Sequence, residues 1–392
     1  MNLIPAEYWE YGIGDLIHGI TAASGENIHH EISLPGLGSC FTIGSGRAAL
    51  IIALRALNLK PGAHVGVPLY CCPVVLRAIE LADCSPQFVD IESDTFCISA
   101  QDLSRKIDRL DAVIALHMFG NMCDMQILRT IAKDKPVIED CAQALGSRIN
   151  DGMAGSFGDI AFFSFRSGKY LSVGEGGAVF STNEEFCDRI RKLVKFLQDT
   201  SYWDDILHIF KTYIRSKLRS EPLYGLVGHQ LWTFYNKIAD HSVKTSMSIN
   251  NIYKSDRAIA AKRLKYIDTA IAKQRDNARF YTQNLKFEQG MICMEKPGKF
   301  YNRYLYPIVF PSLKQRDSMS VYMHKRGIGT TKPYHDISSI ATKHHGYRGD
   351  CPVSEKIADC VIAIPNHHNL KEEDRQHVAL CLNKGWMAIR NK

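Results

Sequence analysis

PVIEDCAQALGS, residues 136–147, and GDIAFFSFRSGKYLSVGEGGAVFST, residues 158–182, together decide the fold of this 392-residue chain. The stretch holds two short apolar runs, and each leads into a charged residue. Val137-Ile138 leads into Glu139-Asp140, and Ile160-Ala161-Phe162-Phe163-Ser164-Phe165 leads toward Lys169. Short apolar runs bounded by glycine and polar residues read as strands of a parallel sheet covered on both faces. Ligands of such sheets sit at the carboxyl ends of the strands. Asp140 and Lys169 are therefore expected to face one bound molecule. An amine for a Schiff base and a carboxylate for a pyridinium nitrogen are what pyridoxal phosphate requires.

Upstream, Ile43-Gly44-Ser45-Gly46-Arg47-Ala48-Ala49-Leu50 opens an Ala/Leu-rich helix to about Leu57. A Gly/Ser turn at a helix start presents free N–H groups and the positive dipole end, which suit phosphate; a plain N-cap reads the same way. Strands are expected at Val65–Tyr70, Pro86–Asp90 and Asp111–His117, with helices between them, which is the βαβ alternation of a doubly wound sheet. Residues 1–40 read as a lead-in of short turns punctuated by Gly12, Gly14, Gly19, Gly36 and Gly38. His117 ends a strand and reads as a packed residue behind the site.

Residues 199–245 interleave Tyr202, Trp203, Phe210, Tyr213, Tyr224, Trp232, Phe234 and Tyr235 with Lys211, Arg215, Lys217, Arg219 and Lys237. Trp203, Ile206, Leu207, Phe210, Tyr213, Ile214 and Leu218 fall at helical spacing, a stripe to be buried against the parent domain or a partner subunit. A membrane surface is the other reading of such a stripe. A single long helix is expected over Ser255–Leu285, then strands at Tyr304–Phe310 and Val361–Ile364 among three helices. The composition changes near residue 250. The expected division is a large domain over 1–250, carrying the 199–245 insertion, and a small α+β domain over 251–392.

Hydrophobic residues make up 45% of the chain and charged ones 23%, as in an ordinary globular protein. The net charge of +7 is far from the concentrated basic face of a nucleic-acid binder. The twelve cysteines show no metal-like spacing and, with no signal peptide at Met1–Glu7, read as reduced thiols of a cytoplasmic protein. No apolar run reaches the roughly 18–20 residues of a spanning helix.

Several of these segments, in this order, resemble the DegT/DnrJ/EryC1/StrS sugar aminotransferases. The segments are Ser45–Leu50, Val89-Asp90-Ile91, His117–Gly120, Ile138–Ala144, Gly155–Asp159, Phe163–Phe165, Lys169, Gly174–Gly177, Arg326–Thr330, Pro352–Glu355 and Ile364-Pro365. The resemblance implies an α/β protein of fold type I, with a large doubly wound, mainly parallel sheet and a small C-terminal α+β domain. It makes Lys169 the lysine that carries pyridoxal phosphate, Asp140 the carboxylate at the ring nitrogen and Gln143 the glutamine beside the ring. Ser164 and the backbone at Arg47-Ala48 match the phosphate site, which Asn250 or Asn251 of a partner subunit would complete. It further implies a homodimer with the active site at the subunit interface. The reaction expected is transfer of an amino group from an amino acid, glutamate, to a nucleotide-linked keto-sugar, in the making of cell-surface polysaccharide or glycoconjugate. Related dehydratases carry His in place of the lysine, and a regulatory relative would lack Asp140 or Lys169; both residues are present here. The chain departs from the pattern in four places, one being the segment 199–245, which is longer than the usual connection. Arg47 replaces a threonine, Arg166 stands where His is common, and Cys72 takes the position of the ring-stacking aromatic, for which Tyr70 is the neighbouring substitute.

Overall fold

The computed structural model describes residues 3–25, 31–220, 223–228 and 249–390. Thirteen strands and the helices between them build three sheets. The central sheet contains β1 (Glu31–Leu34), β2 (Gly38–Ile43), β3 (His64–Pro68), β4 (Ser85–Val89), β5 (Ala112–Leu116) and β6 (Val137–Asp140). After the short β7 (Arg148–Ile149) and β8 (Gly152–Met153), which form a ribbon with β11 (Lys299–Phe300), it adds β9 (Ile160–Ser164) and β10 (Gly177–Phe180). The order across the sheet is β1-β2-β10-β9-β6-β5-β3-β4. The run β4-β3-β5-β6-β9 is parallel, and β10 is antiparallel to both its neighbours. All of β5 and β6 is buried, as near-continuous apolar strands must be when both faces are covered. One cover is the helix Gly46–Ala56, buried everywhere except Arg47 and Arg55.

The smaller sheet pairs β12 (Tyr306–Val309) with β13 (Val361–Ile364). Its core of Tyr281, Tyr306, Ile308, Phe310, Met319, Ile362, Leu382 and Trp386 is separate from the large one. The N-terminus reaches this second core. Ile4 packs in it and pairs with the far end of the chain, Ile4 N donating to Gly327 O at 2.8 Å and Gly329 N to Ile4 O at 2.8 Å.

Three local expectations are corrected. The lead-in is not a set of turns: Ile13–Ala23 is a helix, and β1 and β2 make a hairpin. Gly19 is a spacer there, since a Cβ would sit 3.3 Å from Ser255 Cβ and from the Tyr11 hydroxyl. The expected helix over Ser255–Leu285 is two helices, Lys254–Leu264 and Ile267–Asn284. The first and the start of the second bury Ile259, Ala260, Ile267 and Ile271 in the large core, and the end of the second buries Ala278 and Tyr281 in the small one.

The third correction concerns the insertion. Its helix, Tyr202–Leu218, turns polar residues inward: Asp205, Thr212 and Ser216 are buried together with Ile209. Asp205 accepts from Ser255 N at 3.2 Å and also from Ser255 Oγ, and Ser216 Oγ donates to Trp9 O. The apolar stripe faces outward, with Trp203 75%, Leu207 52%, Phe210 44% and Ile214 56% exposed. Parent-domain burial of that stripe is excluded for these four residues because the inward face is already filled by hydrogen bonds. Trp232, Phe234, Tyr235 and Lys237 lie outside the described residues.

Candidate active site

The parallel topology brings the ends of β6 and β9 side by side, with Asp140 paired to Phe162 in the register. A cavity of about 490 Å³ opens at those ends, lined by Ser45, Gly46, Arg47, Cys72, Asp140, Gln143, Ser164, Arg166, Lys169, Tyr304 and Tyr334.

Lys169 sits in a looped turn after β9. The turn is fixed by Ser167 N to Gly174 O at 2.9 Å, Gly168 N to Ser172 Oγ at 3.0 Å and Lys169 N to Arg166 O at 3.0 Å. Its Nζ lies 4.7 Å from the centre of the Tyr304 ring. Burial, and then the Arg166 charge, pull the Lys169 pKa down to about 8, against the opposing pull of Cys72, Asp140 and Glu7. Asp140 is 5% exposed and takes one hydrogen bond, from Ala142 N at 3.0 Å. Burial raises its pKa to about 6, although Ala142, Lys169 and His117 all oppose the shift. A carboxylate taken out of water with so little compensation costs stability until a cation meets it.

The neighbouring acid is built differently. Glu139 accepts from Gly155 N at 2.9 Å, from Phe157 N and Gly158 N at 2.6 Å each, and from His117 Nε2 at 2.8 Å. His117 Nδ1 accepts Cys123 N–H at 3.2 Å, so Nε2 carries the proton toward Glu139. His117 and Glu139 are 0% exposed and lie behind the cavity, so this pair holds strands together.

Gln143 is clamped at both ends. Its Oε1 accepts Phe119 N–H at 2.9 Å, and its Nε2 donates to the Tyr334 hydroxyl at 3.0 Å. At the helix start, Ser45 Oγ accepts Ala48 N–H at 3.1 Å. Ala48 is buried with its donor used, whereas Gly46 and Arg47 line the cavity. Gly46 is required there: a Cβ would lie 2.6 Å from Ser164 Cβ and 2.8 Å from its Oγ. Cys72 lines the cavity just before the helix Pro73–Leu81. Tyr70 lies behind the wall, fully buried, with its hydroxyl donating to Pro333 O at 2.9 Å. Asn250 and Asn251 are not in the cavity wall of their own chain. Asn250 O accepts Gly44 N–H at 2.8 Å, and Asn251 Nδ2 donates to Asp199 Oδ1 at 2.5 Å.

Sequence reasoning missed Tyr304, Tyr334 and Glu7. The tyrosines stand on loops of the small-sheet half, and Tyr334 has a φ of 53°. The Arg326–Thr330 landmark stops four residues short of Tyr334, and nothing local in the sequence points that ring at Gln143.

A family model described as the DegT/DnrJ/EryC1/StrS aminotransferase family matches residues 33–383. The chain belongs to that family. It is 24% identical over 356 residues to a GDP-perosamine synthase of Vibrio cholerae, covering 89% of this chain and 86% of that protein. It is 26% identical over 384 residues to a UDP-N-acetyl-3-dehydro-alpha-D-glucosamine 3-aminotransferase of Acidithiobacillus ferrooxidans, covering 95% of this chain and 92% of that one. Among solved structures, a putative sugar aminotransferase of Streptococcus pneumoniae in its apo form superposes with a TM-score of 0.79 at 18% identity, over 100% of this chain and 99% of that one. The same protein has been solved in PLP and PMP forms.

As a member of the DegT/DnrJ/EryC1/StrS family, the chain is a pyridoxal-phosphate-dependent aminotransferase of fold type I. The residues present fit that cofactor. Asp140 is a buried carboxylate with no ion pair among the described residues, Lys169 is an amine of lowered pKa in the same cavity, and Gly46 leaves a cradle beside Ser164 that a Cβ would fill.

Proposed function

We propose that this aminotransferase moves an amino group from an amino-acid donor, glutamate, to the keto group of a nucleotide-linked sugar. It would serve the synthesis of cell-surface polysaccharide or glycoconjugate, as a cytoplasmic homodimer. The observation that carries the reading is a single cavity in which Asp140 and Lys169 are shifted in opposite directions, to about 6 and about 8. Burial disfavours the charged form of each, which brings both into the range where they can change protonation near neutral pH.

When bound, the cofactor supplies an electron sink for deprotonation next to the transferred amine. The chain's own part follows from its geometry. Asp140 offers a carboxylate to a positive ring nitrogen. Lys169 Nζ, with its pKa near neutrality, takes and returns a proton at working pH. Gln143, fixed by Phe119 and Tyr334, presents an amide that cannot swing away. Gly46, Arg47 and Ser164, which line the cavity at the helix start, would hold the phosphate. Cys72 leaves one wall without an aromatic ring, and Tyr334 is the aromatic side chain nearest in role.

A second copy of the chain is the occupant proposed for the outward face of the insertion helix, where Trp203, Leu207, Phe210 and Ile214 are exposed. Monomers seldom leave such a contiguous apolar face in water. Asn250, beside Gly44 in its own chain, is the proposed contribution to the partner's phosphate site.

The test is spectroscopic. Purified protein with pyridoxal phosphate is expected to show the visible band of the bound cofactor, lose it with glutamate, and regain it with the right member of a panel of nucleotide-linked 3-keto and 4-keto sugars. A protein that stays colourless in excess cofactor refutes the reading.

A further inference from the structure

Next to the cofactor cavity, and sharing Arg166 and Glu175 with it, lies a second cavity of about 410 Å³. One side is the loop that carries Lys169, and the other is the insertion helix Tyr202–Leu218. Three guanidinium groups line it, those of Arg166, Arg215 and Arg219; among the described lining residues the only carboxylate is Glu175.

The walls are built rather than incidental. His208 Nε2 lies 2.7 Å from the buried Asp256 Oδ2, and its ring stacks on Tyr253 at 4.0 Å. Asp256 Oδ2 also accepts Glu175 N–H at 2.9 Å, tying the insertion helix to the lysine loop. That approach needs Gly174, where φ is 133° and a Cβ would lie 2.8 Å from both His208 Nε2 and Asp256 Oδ1. Arg219 Cζ lies 4.1 Å over the Trp9 ring. Burial holds the Arg219 pKa below its usual range, with Arg166 and Arg215 pushing the same way against Glu7 and Tyr224. Guanidinium groups hold an oxyanion with charge-assisted, bidentate hydrogen bonds, which suits a cavity lined by three of them.

We propose that this second cavity is an anion site that receives the oxyanion end of a substrate while its reacting end lies at Lys169. The proposal rests on the reading of the cofactor cavity given above. Two sources share the chemistry: the diphosphate of a nucleotide-linked sugar, and the carboxylate of the amino donor. In either case the specificity comes from Arg215 and Arg219 of the insertion.

The experiment compares the pyridoxal-phosphate holoenzyme with Arg215→Gln and with the double variant Arg215→Gln/Arg219→Gln. The exposed Lys211→Gln on the same helix serves as a control for general loss of charge. Calorimetry reads the binding of UDP, GDP and dTDP, and the glutamate-dependent loss of the visible band reads the donor. A retained cofactor band and an unchanged thermal melt show that a variant is folded; Arg215 is exposed, so the single variant secures this even if the double one fails. If the diphosphate is the source, nucleoside diphosphate binding weakens by about tenfold to a hundredfold while the glutamate response is unchanged. If the carboxylate is the source, the glutamate concentration needed rises by a similar factor and nucleoside diphosphate binding is unaltered. No change in either, or an equal change in Lys211→Gln, overturns the anion site. Should the wild type take up no cofactor, the cofactor-cavity reading has failed, and calorimetry on the same proteins still decides the anion site.

Discussion

Asp140→Asn is expected to make the cofactor-free protein more stable and the enzyme useless. The Asp140 carboxyl is 5% exposed, and its pKa is raised from 3.8 to about 6 by burial. Between those two values the folded state binds more protons than the unfolded one, so stability falls as pH rises through the window, and the full penalty is present above pH 6. Roughly two pKa units at 1.36 kcal/mol each give a cost of about 3 kcal/mol in the cofactor-free protein at pH 8. An amide of the same shape carries no charge to desolvate, so the variant escapes most of that penalty. The assay is thermal unfolding of the cofactor-free proteins at pH 8 and pH 5. The variant is expected to melt a few degrees higher at pH 8, with an advantage that shrinks toward pH 5 as the wild-type carboxyl takes up its proton. Added pyridoxal phosphate should reverse the ranking, since only the wild type supplies a counter-charge to the ring. A variant that melts lower than wild type at pH 8 without cofactor, or an advantage that does not depend on pH, refutes the account.

Three further outcomes follow from single contacts. Arg166→Met removes the second-largest influence on Lys169, so the midpoint for acylation of Lys169 in the cofactor-free protein, followed by mass spectrometry across pH, should move upward from about 8. Tyr334→Phe leaves the Gln143 amide without its hydroxyl partner and is expected to cost about 1–3 kcal/mol in urea unfolding, with a weaker hold on the cofactor. Gly46→Ala drives a Cβ to 2.6 Å from Ser164 Cβ, so calorimetry should show the phosphate cradle lost, while pairing it with Ser164→Gly should restore stability in part.

Asp140 and Lys169 were legible because a chain cannot hide how a parallel strand ends. An apolar run such as Ile160–Phe165 is long enough to be buried on both faces, and the turn that follows it brings Arg166 and Lys169 to the rim. Gly46 was legible for a similar reason, as the turn that opens a helix. What escaped depends on contacts across the fold. Tyr304 and Tyr334 reach the cavity from the small-sheet half, and no local pattern sets their direction. The insertion helix showed a 3.6-residue stripe in the sequence, but periodicity reports that a helix has two faces, not which one meets the protein. Asp205 and Ser216 decided that through bonds to Ser255 and Trp9. Gly19 was misread because glycine marks a turn and a close helix approach with the same letter. The break near Lys265 was invisible because Ile259 and Ala260 before it and Ile267 and Ile271 after it serve the same core.

The pairing of Ile4 with Gly327 and Gly329 is a long-range one. Ile4 is synthesised more than three hundred residues ahead of Gly327 and Gly329, the partners its backbone has in the fold. Closing so large a loop carries an entropic cost that contacts near in sequence do not. Glu7 and Trp9 lie just beyond that pairing and line the two cavities. The two cavities therefore depend on a long-range anchor: a chain lacking Gly327 and Gly329 would keep the sheet residues of the site but lose the pairing that holds the segment of Glu7 and Trp9.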